Sequence, residues 1–340
     1  MRTIRWMGVA LAILTVGVGT SWAGSTQRLG TAGAPELRLP VGARSTALAG
    51  ANIGDVSGVE ALYFNPAGLA GSDNATQVMF SHTDYLAGMG LNYVGIGRSL
   101  GGLGMIGVSV KVLSIGDIEK TTETAPDGTG EIFSPTFSTL GLTYAKRMTD
   151  RVNFGGTAYY VSEHIMQETA AGVAFDFGFQ YDTGYHGMKL GMAMKNFGPN
   201  LNFSGSDFEL NQRLNVDDPQ SGNKTLALSS ANFEMPSTFQ LALSLPLVQG
   251  VNTFALHGLY QNNSFDVDEG RVGAEFVLHK VFALRGGYKI TSNSDDLFGL
   301  SYGAGVRVPL GATQMWVDYA GQTVSNFFDD VQHVSLNMLF

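Results

Sequence analysis

The sequence lacks cysteine and is poor in charge. None of its 340 residues is cysteine, and only 14% are Asp, Glu, Lys or Arg, against roughly 25% in an average soluble protein. The missing cysteine excludes disulfide bonds, thiolate catalysis and cysteine-ligated metals. Low charge together with 44% hydrophobic residues is unusual for a water-soluble enzyme. The formal net charge of -9 argues against a nucleic-acid partner, because binding phosphates requires a surplus of cations.

Long apolar runs are also missing beyond the amino terminus. Residues 1–23 have the pattern of a signal peptide, with Arg2 and Arg5, an apolar core over 7–19 and the small-x-small site Ser21-Trp22-Ala23. After residue 23, no run reaches the roughly 18 apolar residues of a transmembrane helix. We therefore expect an exported chain that can enter a membrane only as a β-barrel.

A period of two dominates the chain from Thr76 onward, which is typical of strands with one apolar face. For example, Val173, Phe175 and Phe177 share one face, while Asp176 lies on the other. The pattern predicts fourteen strands, near 76–82, 91–99, 103–115, 135–147, 151–165, 172–182, 188–196, 237–247, 251–262, 269–279, 281–290, 297–308, 313–323 and 331–340.

The connections and charges favour a membrane-spanning barrel over a soluble sandwich. Short turns alternate with mostly longer connections, the longest at 116–134 and 197–236, and spanning barrels show this asymmetry together with an even strand number. A Lys or Arg facing the bilayer centre costs about 2–4 kcal/mol, so ionisable residues should avoid the apolar face. In the best-patterned strands they all fall on the polar face: Asp176, Asp182, Lys189, Lys195, Arg271, Glu275, Arg285, Lys289, Arg307 and Asp318.

The last strand places Val334, Leu336, Met338 and the terminal Phe340 on one face. This ending resembles the terminal-strand signal that the barrel assembly machinery recognises. Together with the predicted signal peptide and strand number, it indicates the bacterial outer membrane, with outer-membrane lipid and the assembly machinery as partners.

Residues 24–75 do not share the strand pattern. They are rich in small residues and contain too few large apolar side chains for a core of their own, so they must pack on another surface. We predict that they form a plug, or hatch, in the lumen. The sequence thus predicts an all-β fold, a 14-stranded antiparallel transmembrane β-barrel (76–340) with an N-terminal plug (24–75) behind the signal peptide (1–23).

Residues 61–70, with the sequence ALYFNPAGLA, follow Gly42-Ala43-Arg44 and Gly50-Ala51. This segment resembles the hatch of the FadL-like outer-membrane barrels. Residues 33–37 (GAPEL) and 40–44 (PVGAR) look closer to the PorV/PorQ branch of that superfamily than to its fatty-acid transporters. The resemblance implies a fourteen-stranded plugged barrel.

The hatch motif is Asn65, Pro66, Ala67 and Gly68. Proline fixes its own φ and holds the preceding Asn65 extended, while the asparagine amide can bind nearby backbone groups. The motif should therefore form a rigid corner that anchors the hatch. Alternatively, the corner lies beside a ligand path and moves during transport.

Lumenal charges are the other candidate site. They could form ion pairs that brace the wall and hold the plug. Alternatively, one exposed cation could hold the carboxylate or sulfate of a ligand whose tail contacts Leu259 and Val277. The candidates are Lys111, Asp176, Lys189, Lys195, Glu275, Arg285, Lys289, Arg307 and Asp318.

Catalytic motifs are matched only by chance. Residues 97–101 and 299–303 fit the nucleophile-elbow pattern, and 102–107 fits a dinucleotide fingerprint, but these motifs must open a helix and here they lie in predicted strands. The six histidines are dispersed, without zinc-site spacing. We therefore predict no enzyme activity, cofactor or metal.

Two functions fit these features. The first is a transporter or channel for hydrophobic or amphipathic small molecules, as the FadL-like superfamily implies. The second is a PorV-like component of a type IX protein secretion system that binds or escorts secreted proteins, as the closer branch implies. Its candidate partner surface is 197–236, which carries Phe203, Phe208, Leu210, Leu214 and Phe233, although these side chains could instead pack the loop over the barrel mouth.

Overall fold

The protein forms one closed antiparallel sheet of fourteen strands. The structure, a computed structural model, describes residues 28–72, 76–213, 223–311, 313–325 and 328–340, so the predicted signal peptide lies outside the described residues. Each barrel strand pairs with its neighbours along the chain, and the first pairs with the last, with Val78 opposite Met338 and Ser81 opposite Ser335. Closure pairs both edges of every strand over most of its length, so little sheet edge stays exposed.

The barrel strands are β1 (Thr76–Asp84), β2 (Gly90–Ser99), β3 (Met105–Ser114), β6 (Thr136–Thr149), β7 (Val152–Ile165), β8 (Glu168–Asp182), β9 (Lys189–Phe197), β13 (Thr238–Val248), β14 (Thr253–Asn263), β15 (Glu269–Leu278), β16 (Phe282–Thr291), β17 (Phe298–Leu310), β18 (Thr313–Val324) and β19 (Val331–Leu339).

Five short strands lie in the connections. β4 (Ile118–Glu119) pairs with β5 (Ile132–Phe133), and β11 (Glu209–Arg213) pairs with β12 (Asn223–Ala227). β10 (Phe203–Gly205) adds to the free edge of β8 where β8 extends beyond β9. Short 3-10 turns occupy Leu86–Gly88, Gly101–Leu103 and Ser206–Phe208.

The prediction of a fourteen-stranded antiparallel barrel is confirmed, and each predicted strand has its counterpart. The largest difference is at β8, which begins at Glu168, four residues earlier than expected. Polar residues at 167–169 hid this start, because the strand end reaches beyond the apolar band. The connection between β7 and β8 is consequently only 166–167, a tight turn with Met166 at a positive φ of 55°.

The two faces of the wall differ as the alternation predicts. Outward-facing side chains are apolar and exposed, as at Phe177, Leu241 and Tyr302, whereas inward-facing neighbours such as Asp176 and Gln240 are buried. Val334 and Phe340 of the terminal strand also face outward, 50% and 55% exposed. Apolar side chains therefore surround the barrel, and its ionisable groups lie inside or at the ends.

The two ends of the barrel have different connections. We call the end with the turns 100–104, 150–151, 183–188, 249–252, 279–281 and 311–312 the short-loop end. The opposite end, with 85–89, 115–135, 166–167, 198–237, 264–268, 292–297 and 325–330, is the long-loop end.

The described residues 28–72, which we call the N-terminal segment, contact the inward face of the wall. They form 3-10 turns at Pro35–Arg38, Gly58–Glu60 and Pro66–Gly71 and the short helices α1 (Ala43–Ala47) and α2 (Ala61–Phe64). Their apolar side chains join those of the wall in the largest buried cluster, which includes Ile53 and Leu62 together with Met79 and Leu91. No helix among the described residues has the length and apolar character to cross a bilayer.

Candidate functional site

The N-terminal segment runs from the long-loop end towards the short-loop end. Near its start, the Gly33 N–H donates to the Glu234 carbonyl at 2.9 Å, and Arg38 Nη2 lies 2.8 Å from Asp266 Oδ2. Near its end, an Arg147 guanidinium nitrogen donates to the Ala70 carbonyl at 3.4 Å. The segment thus contacts the wall along the length of the interior.

The hatch motif makes a corner against the wall at the short-loop end. Asn65 is fully buried, and its Oδ1 accepts a hydrogen bond from the Ala67 N–H at 3.2 Å. Its Nδ2 donates to the carbonyls of Ile53, 2.9 Å away, and Phe179, 3.2 Å away. One side chain therefore caps the turn Pro66–Gly71, ties together two parts of the segment, and fixes both to β8.

Two paired glycines make this close approach possible. Gly155 on β7 lies opposite Gly178 on β8. A Cβ at Gly178 would lie 2.1 Å from Asn65 Oδ1, and one at Gly155 would lie 2.5 Å from the Pro66 carbonyl carbon. Any larger residue at either position would collide with the corner, so the wall forms a fitted seat for the hatch motif.

A buried ionic chain joins the middle of the segment to the wall. Arg44 donates through Nε and Nη2 to both Glu275 carboxylate oxygens, at 3.0 and 2.9 Å. Arg285 bridges Glu275, at 2.7 Å, and Asp318, at 2.6 Å. The Glu275 carboxylate, first among several acids, raises the pKa of Arg44, so this arginine is charged. Arg44 was missing from the sequence candidates because they were sought only in strands.

Glu60 holds α1 from within the segment. Its Oε1 accepts a hydrogen bond from the Ser45 N–H at 2.9 Å. Burial raises the pKa of Glu60, and Arg44 opposes that rise. This acid also escaped the sequence reasoning, since it lies outside the alternating pattern.

Lys111 and Lys195 point at the ring of Tyr63 from two strands. Their Nζ atoms lie 4.7 and 3.7 Å from the ring centroid, and Lys111 also donates to the Glu36 carbonyl at 2.7 Å. Asp176 accepts from the Asn196 N–H at 2.7 Å through Oδ1, while its Oδ2 has no described partner. A small interior cavity is lined by Lys111, Tyr63, Asp176 and Asn196 together with Leu37, Tyr93, Ser109, Thr139 and Tyr159.

The remaining candidate cations lie nearer the ends. Lys189 pairs with Asp55 of the segment at 2.6 Å. Lys289 pairs with Asp296 at 2.6 Å and approaches Glu269, which also binds Arg271 at 2.7 Å. Arg307 is half-buried and has no ion pair among the described residues, so the structure does not place it in a network with the candidate acids.

Glu36, another residue that the sequence reasoning missed, is buried at the long-loop end of the segment, only 1% exposed. Its carboxyl oxygens accept no hydrogen bond from a described donor, and the carboxyl of Glu163 is near enough for a protonated Glu36 to share a hydrogen bond with it. Burial, and then the neighbouring carboxyl of Glu163 on β7, raise the pKa of Glu36 to about 8. A neutral, protonated Glu36 is therefore the form that suits this position at neutral pH.

The interior cavity beside Tyr63 is small and is lined by polar as well as apolar side chains. Leu259, a candidate tail contact, is packed in the main buried cluster. A larger depression of about 290 Å³ lies on the outward face of the wall, where Gly156 and Ala158 leave a gap among large apolar side chains. Its lining residues are Ile106, Leu142, Thr143, Tyr144, Gly156, Thr157, Ala158, Phe175 and Phe177.

Aromatic residues of the longest connection pack inward. Phe233 packs against Phe203 with ring centroids 5.6 Å apart and ring planes tilted by 39°. Phe233 also lies so close to Gly33 that a Cβ at Gly33 would overlap its ring. Leu201 and Met235 are buried with Ala34 and Leu37. This part of 197–236 covers the start of the N-terminal segment, whereas Leu210 on β11 is 51% exposed. Leu214 lies outside the described residues.

Comparisons with solved structures show which known proteins share this fold. No protein-family model matches the chain, and no curated protein matches it. Among solved structures, the toluene transporter TbuX of Ralstonia pickettii aligns with a TM-score of 0.56 at 12% identity, over 87% of this chain and 96% of that one. The toluene transporter TodX of Pseudomonas putida gives 0.56 at 12%, over 86% and 96%. A FadL homologue of Pseudomonas aeruginosa gives 0.55 at 12%, over 89% and 98%. At such low identity, these likenesses show a shared fold.

Proposed function

We propose that this protein is an outer-membrane channel that admits hydrophobic or amphipathic small molecules. The observation that carries the proposal is the closed fourteen-stranded barrel with apolar side chains outside and the N-terminal segment packed against its inner wall. The proteins that share this fold include channels for toluene and other monoaromatic hydrocarbons. In this proposal residues 1–23 direct export, 24–75 form the plug and 76–340 span the outer membrane.

The outward apolar face supports the membrane location. Exposed side chains such as Phe80, Leu142 and Leu284 would be in contact with water in a soluble protein, whereas hydrocarbon would cover them in a bilayer. The short-loop end would face the periplasm, since barrels of this kind have short periplasmic turns. The long-loop end, where the N-terminal segment starts, would then face outwards.

The two halves of the plug would have different roles. The half around Asn65 is held by three hydrogen bonds and a fitted glycine seat, which supports the anchoring role of the hatch motif. The half around Pro35–Arg38 holds the buried carboxyl of Glu36 beside that of Glu163 and is tied by the partly exposed pair Arg38–Asp266. Because the interior cavity is small, a ligand can pass only if this outer half moves.

A reversible lock tests this mechanism. The chain has no cysteine, so Arg38→Cys with Asp266→Cys introduces one pair of thiols at the outer half. The original residues meet through the tips of their side chains, so a short bis-methanethiosulfonate joins the thiols where a direct disulfide would need Cα atoms within about 7 Å. We expect cross-linked cells of this double variant to take up toluene no faster than cells without the protein, and a reductant to restore uptake. Each single cysteine variant is the control. Equal uptake in the cross-linked and reduced states, with the cross-link shown to be formed, would contradict a moving outer half.

A role as a PorV-like component of a type IX secretion system stays a prediction. The inward packing of Phe203 and Phe233 agrees with the simpler reading of that loop as a cover over the barrel mouth. Recognition by the barrel assembly machinery also stays a prediction. The terminal Phe340 faces outward, and its N–H donates to the Thr76 carbonyl at 2.9 Å.

A further inference from the structure

Charge is distributed unequally between the two ends of the barrel. The connections of the long-loop end contain sixteen acidic and three basic residues, whereas those of the short-loop end contain one acidic and two basic residues. The acids occur in five of the seven long-loop connections, so they surround much of the entrance. A negative potential is therefore expected there and not at the other end.

The acids of the entrance are largely left without cations. Glu123, Asp127, Asp295 and Asp329 are exposed, and none of them forms an ion pair with a described residue. Of the three basic residues in these connections, Lys120 is already paired with Glu131 at 2.7 Å. The Debye length is about 8 Å at physiological ionic strength, so acids within about that distance of one another add to one local negative potential.

Inside the barrel, the cations are already occupied. Arg44 and Arg285 share Glu275, Arg271 binds Glu269, Lys189 binds Asp55, and Lys289 binds Asp296. Lys111 donates to a main-chain carbonyl, and Lys195 lies on the Tyr63 ring close to the charge of Asp176. An anionic head group would have to break an ion pair to bind one of the first five cations, and Lys111 and Lys195, although they form no ion pair, are buried.

The unpartnered polar atoms of the interior are of both kinds. An ionised Asp176 would repel a carboxylate or sulfate through Oδ2, whereas Arg271 Nε is a buried donor without a described acceptor. For an anionic head group, the described upper interior therefore holds no cation that is both exposed and free of an ion pair. Arg307, which has no ion pair there, lies near the short-loop end of β17, beyond the plug.

From this arrangement we propose that the channel selects against anions, so that its ligands are uncharged or cationic hydrophobic molecules. This inference rests on the proposed transport function and narrows its substrate class. The acidic entrance lowers the local concentration of anions and leaves neutral molecules unaffected. Most interior cations are in ion pairs or buried, so they compensate an anion only at the cost of a broken pair or of desolvation.

The field at the entrance can be measured without transport. Single cysteines at Ser294, beside Asp295, and at Gln249 in a short-loop turn serve as reporters in the cysteine-free chain. We expect a cationic methanethiosulfonate to label the Ser294→Cys protein faster than an anionic one of similar size, by about threefold or more after correction for a free thiol. The Gln249→Cys protein should show no such preference. Equal preference at both ends would overturn the proposal.

Uptake of neutral, cationic and anionic probes then tests whether the channel selects against anions. Three probes of one shape, 4-butyltoluene, 4-butylbenzylammonium and 4-butylbenzoate, are compared in cells with and without the protein. We expect the protein to accelerate uptake of the neutral and cationic probes and to leave 4-butylbenzoate at the background rate. The variant E119Q/E123Q/D127N/D295N/D329N should raise uptake of the benzoate severalfold and leave 4-butyltoluene unchanged. Exposed neutral residues of the same loops provide the control T121S/T124S/T129S/S292T/S294T.

The outcomes separate the two proposals. Acceleration of the benzoate and the toluene alike by the wild-type protein would overturn selection and leave transport standing. An unchanged ratio of benzoate to toluene uptake in the neutralised variant would likewise overturn the role of the entrance acids. If no probe exceeds the background, the transport function fails, while the labelling result still decides whether the entrance repels anions.

Discussion

At the residue scale, the contact between Gly178 and the hatch motif is the most constrained in the molecule. A methyl group at this position would lie 2.1 Å from Asn65 Oδ1 and 2.8 Å from Pro66 Cδ. Neither side chain can move away from a new methyl group, because the Asn65 side chain makes three hydrogen bonds and the Pro66 ring is rigid. Backbone shifts of this kind cost about 1–3 kcal/mol.

We therefore expect Gly178→Ala to lower the free energy of unfolding by about 1–3 kcal/mol, measured by urea titration in detergent. The control is Gly156→Ala on the adjacent strand, where the nearest atom to a new Cβ is the Asp176 carbonyl at an ordinary 3.6 Å. A loss of stability that is equal in both variants would argue against a fitted seat.

Glu36 gives the outer half of the N-terminal segment a dependence on pH. Burial and the Glu163 carboxyl raise the pKa of Glu36 from 4.5 to about 8, so between these values the folded protein keeps a proton that the unfolded chain has lost. The stability linked to this proton is complete below about pH 4.5 and is lost as the pH rises towards 8, by up to about 1.4 kcal/mol per pH unit.

We expect the urea midpoint of the wild-type protein to fall between pH 5 and pH 7, and Glu36→Gln to remove most of that fall. Asp150→Asn, at an exposed acid of the short-loop end, should retain the wild-type dependence. A Glu36→Gln protein whose midpoint falls as steeply as that of the wild type would show that other groups cause the effect.

At the scale of elements, the longest connection has two parts that differ in what they pack against. β11 and β12 pair only with each other among the described residues, and the Leu228 N–H donates to the Phe208 carbonyl at 2.8 Å, which closes the base of this hairpin. By contrast, Leu201, Phe233 and Met235 pack on the start of the N-terminal segment. The hairpin should therefore be separable from the cover.

Replacing residues 209–227 with a two-residue Gly-Ser linker should leave the unfolding midpoint within about 0.5 kcal/mol of wild type, as for changes away from packed contacts. Replacing Leu201 and Met235 with alanine should lower stability, since buried apolar truncations cost about 2–5 kcal/mol each. Urea titration of both proteins provides the comparison. A hairpin deletion that destabilises the barrel as much as the alanine pair would contradict the division.

At the scale of the whole molecule, barrel and N-terminal segment share one core. The largest buried cluster combines side chains from both, and the chain Arg44–Glu275–Arg285–Asp318 crosses the boundary between them. Without the segment, the wall retains its closed hydrogen-bonded sheet and the pair of Arg285 with Asp318, but its inner apolar side chains face water. The proposed plug should therefore close the pore and stabilise the wall.

We expect a protein lacking residues 28–71 to fold in detergent with a lower urea midpoint and to conduct ions in planar bilayers, whereas the full chain should be closed. Strand content measured by circular dichroism controls for folding. A folded deletion protein that conducts no more current than the full chain would show that the segment does not block the pore.

Sequence patterns predicted those features that depend on neighbouring residues alone. A period of two is a local property of strands. It therefore predicted the fourteen strands, the apolar outer face and the inward direction of Glu275, Arg285 and Asp318. It failed at the start of β8, where polar residues extend the strand beyond the apolar band. It also could not find Arg44, Glu36 or Glu60, because these residues lie in a segment without a regular repeat.

The amino-acid sequence by itself determined the barrel, since strand length, alternation and turn residues are encoded within short stretches of chain. Only the tertiary structure decided which charges meet, that Asn65 and Pro66 press against two glycines more than 80 residues away, and that five of the interior cations are already in ion pairs. These features depend on the register between strands and on the path of the N-terminal segment, and distances between residues far apart in the chain are set only when the sheet closes around that segment.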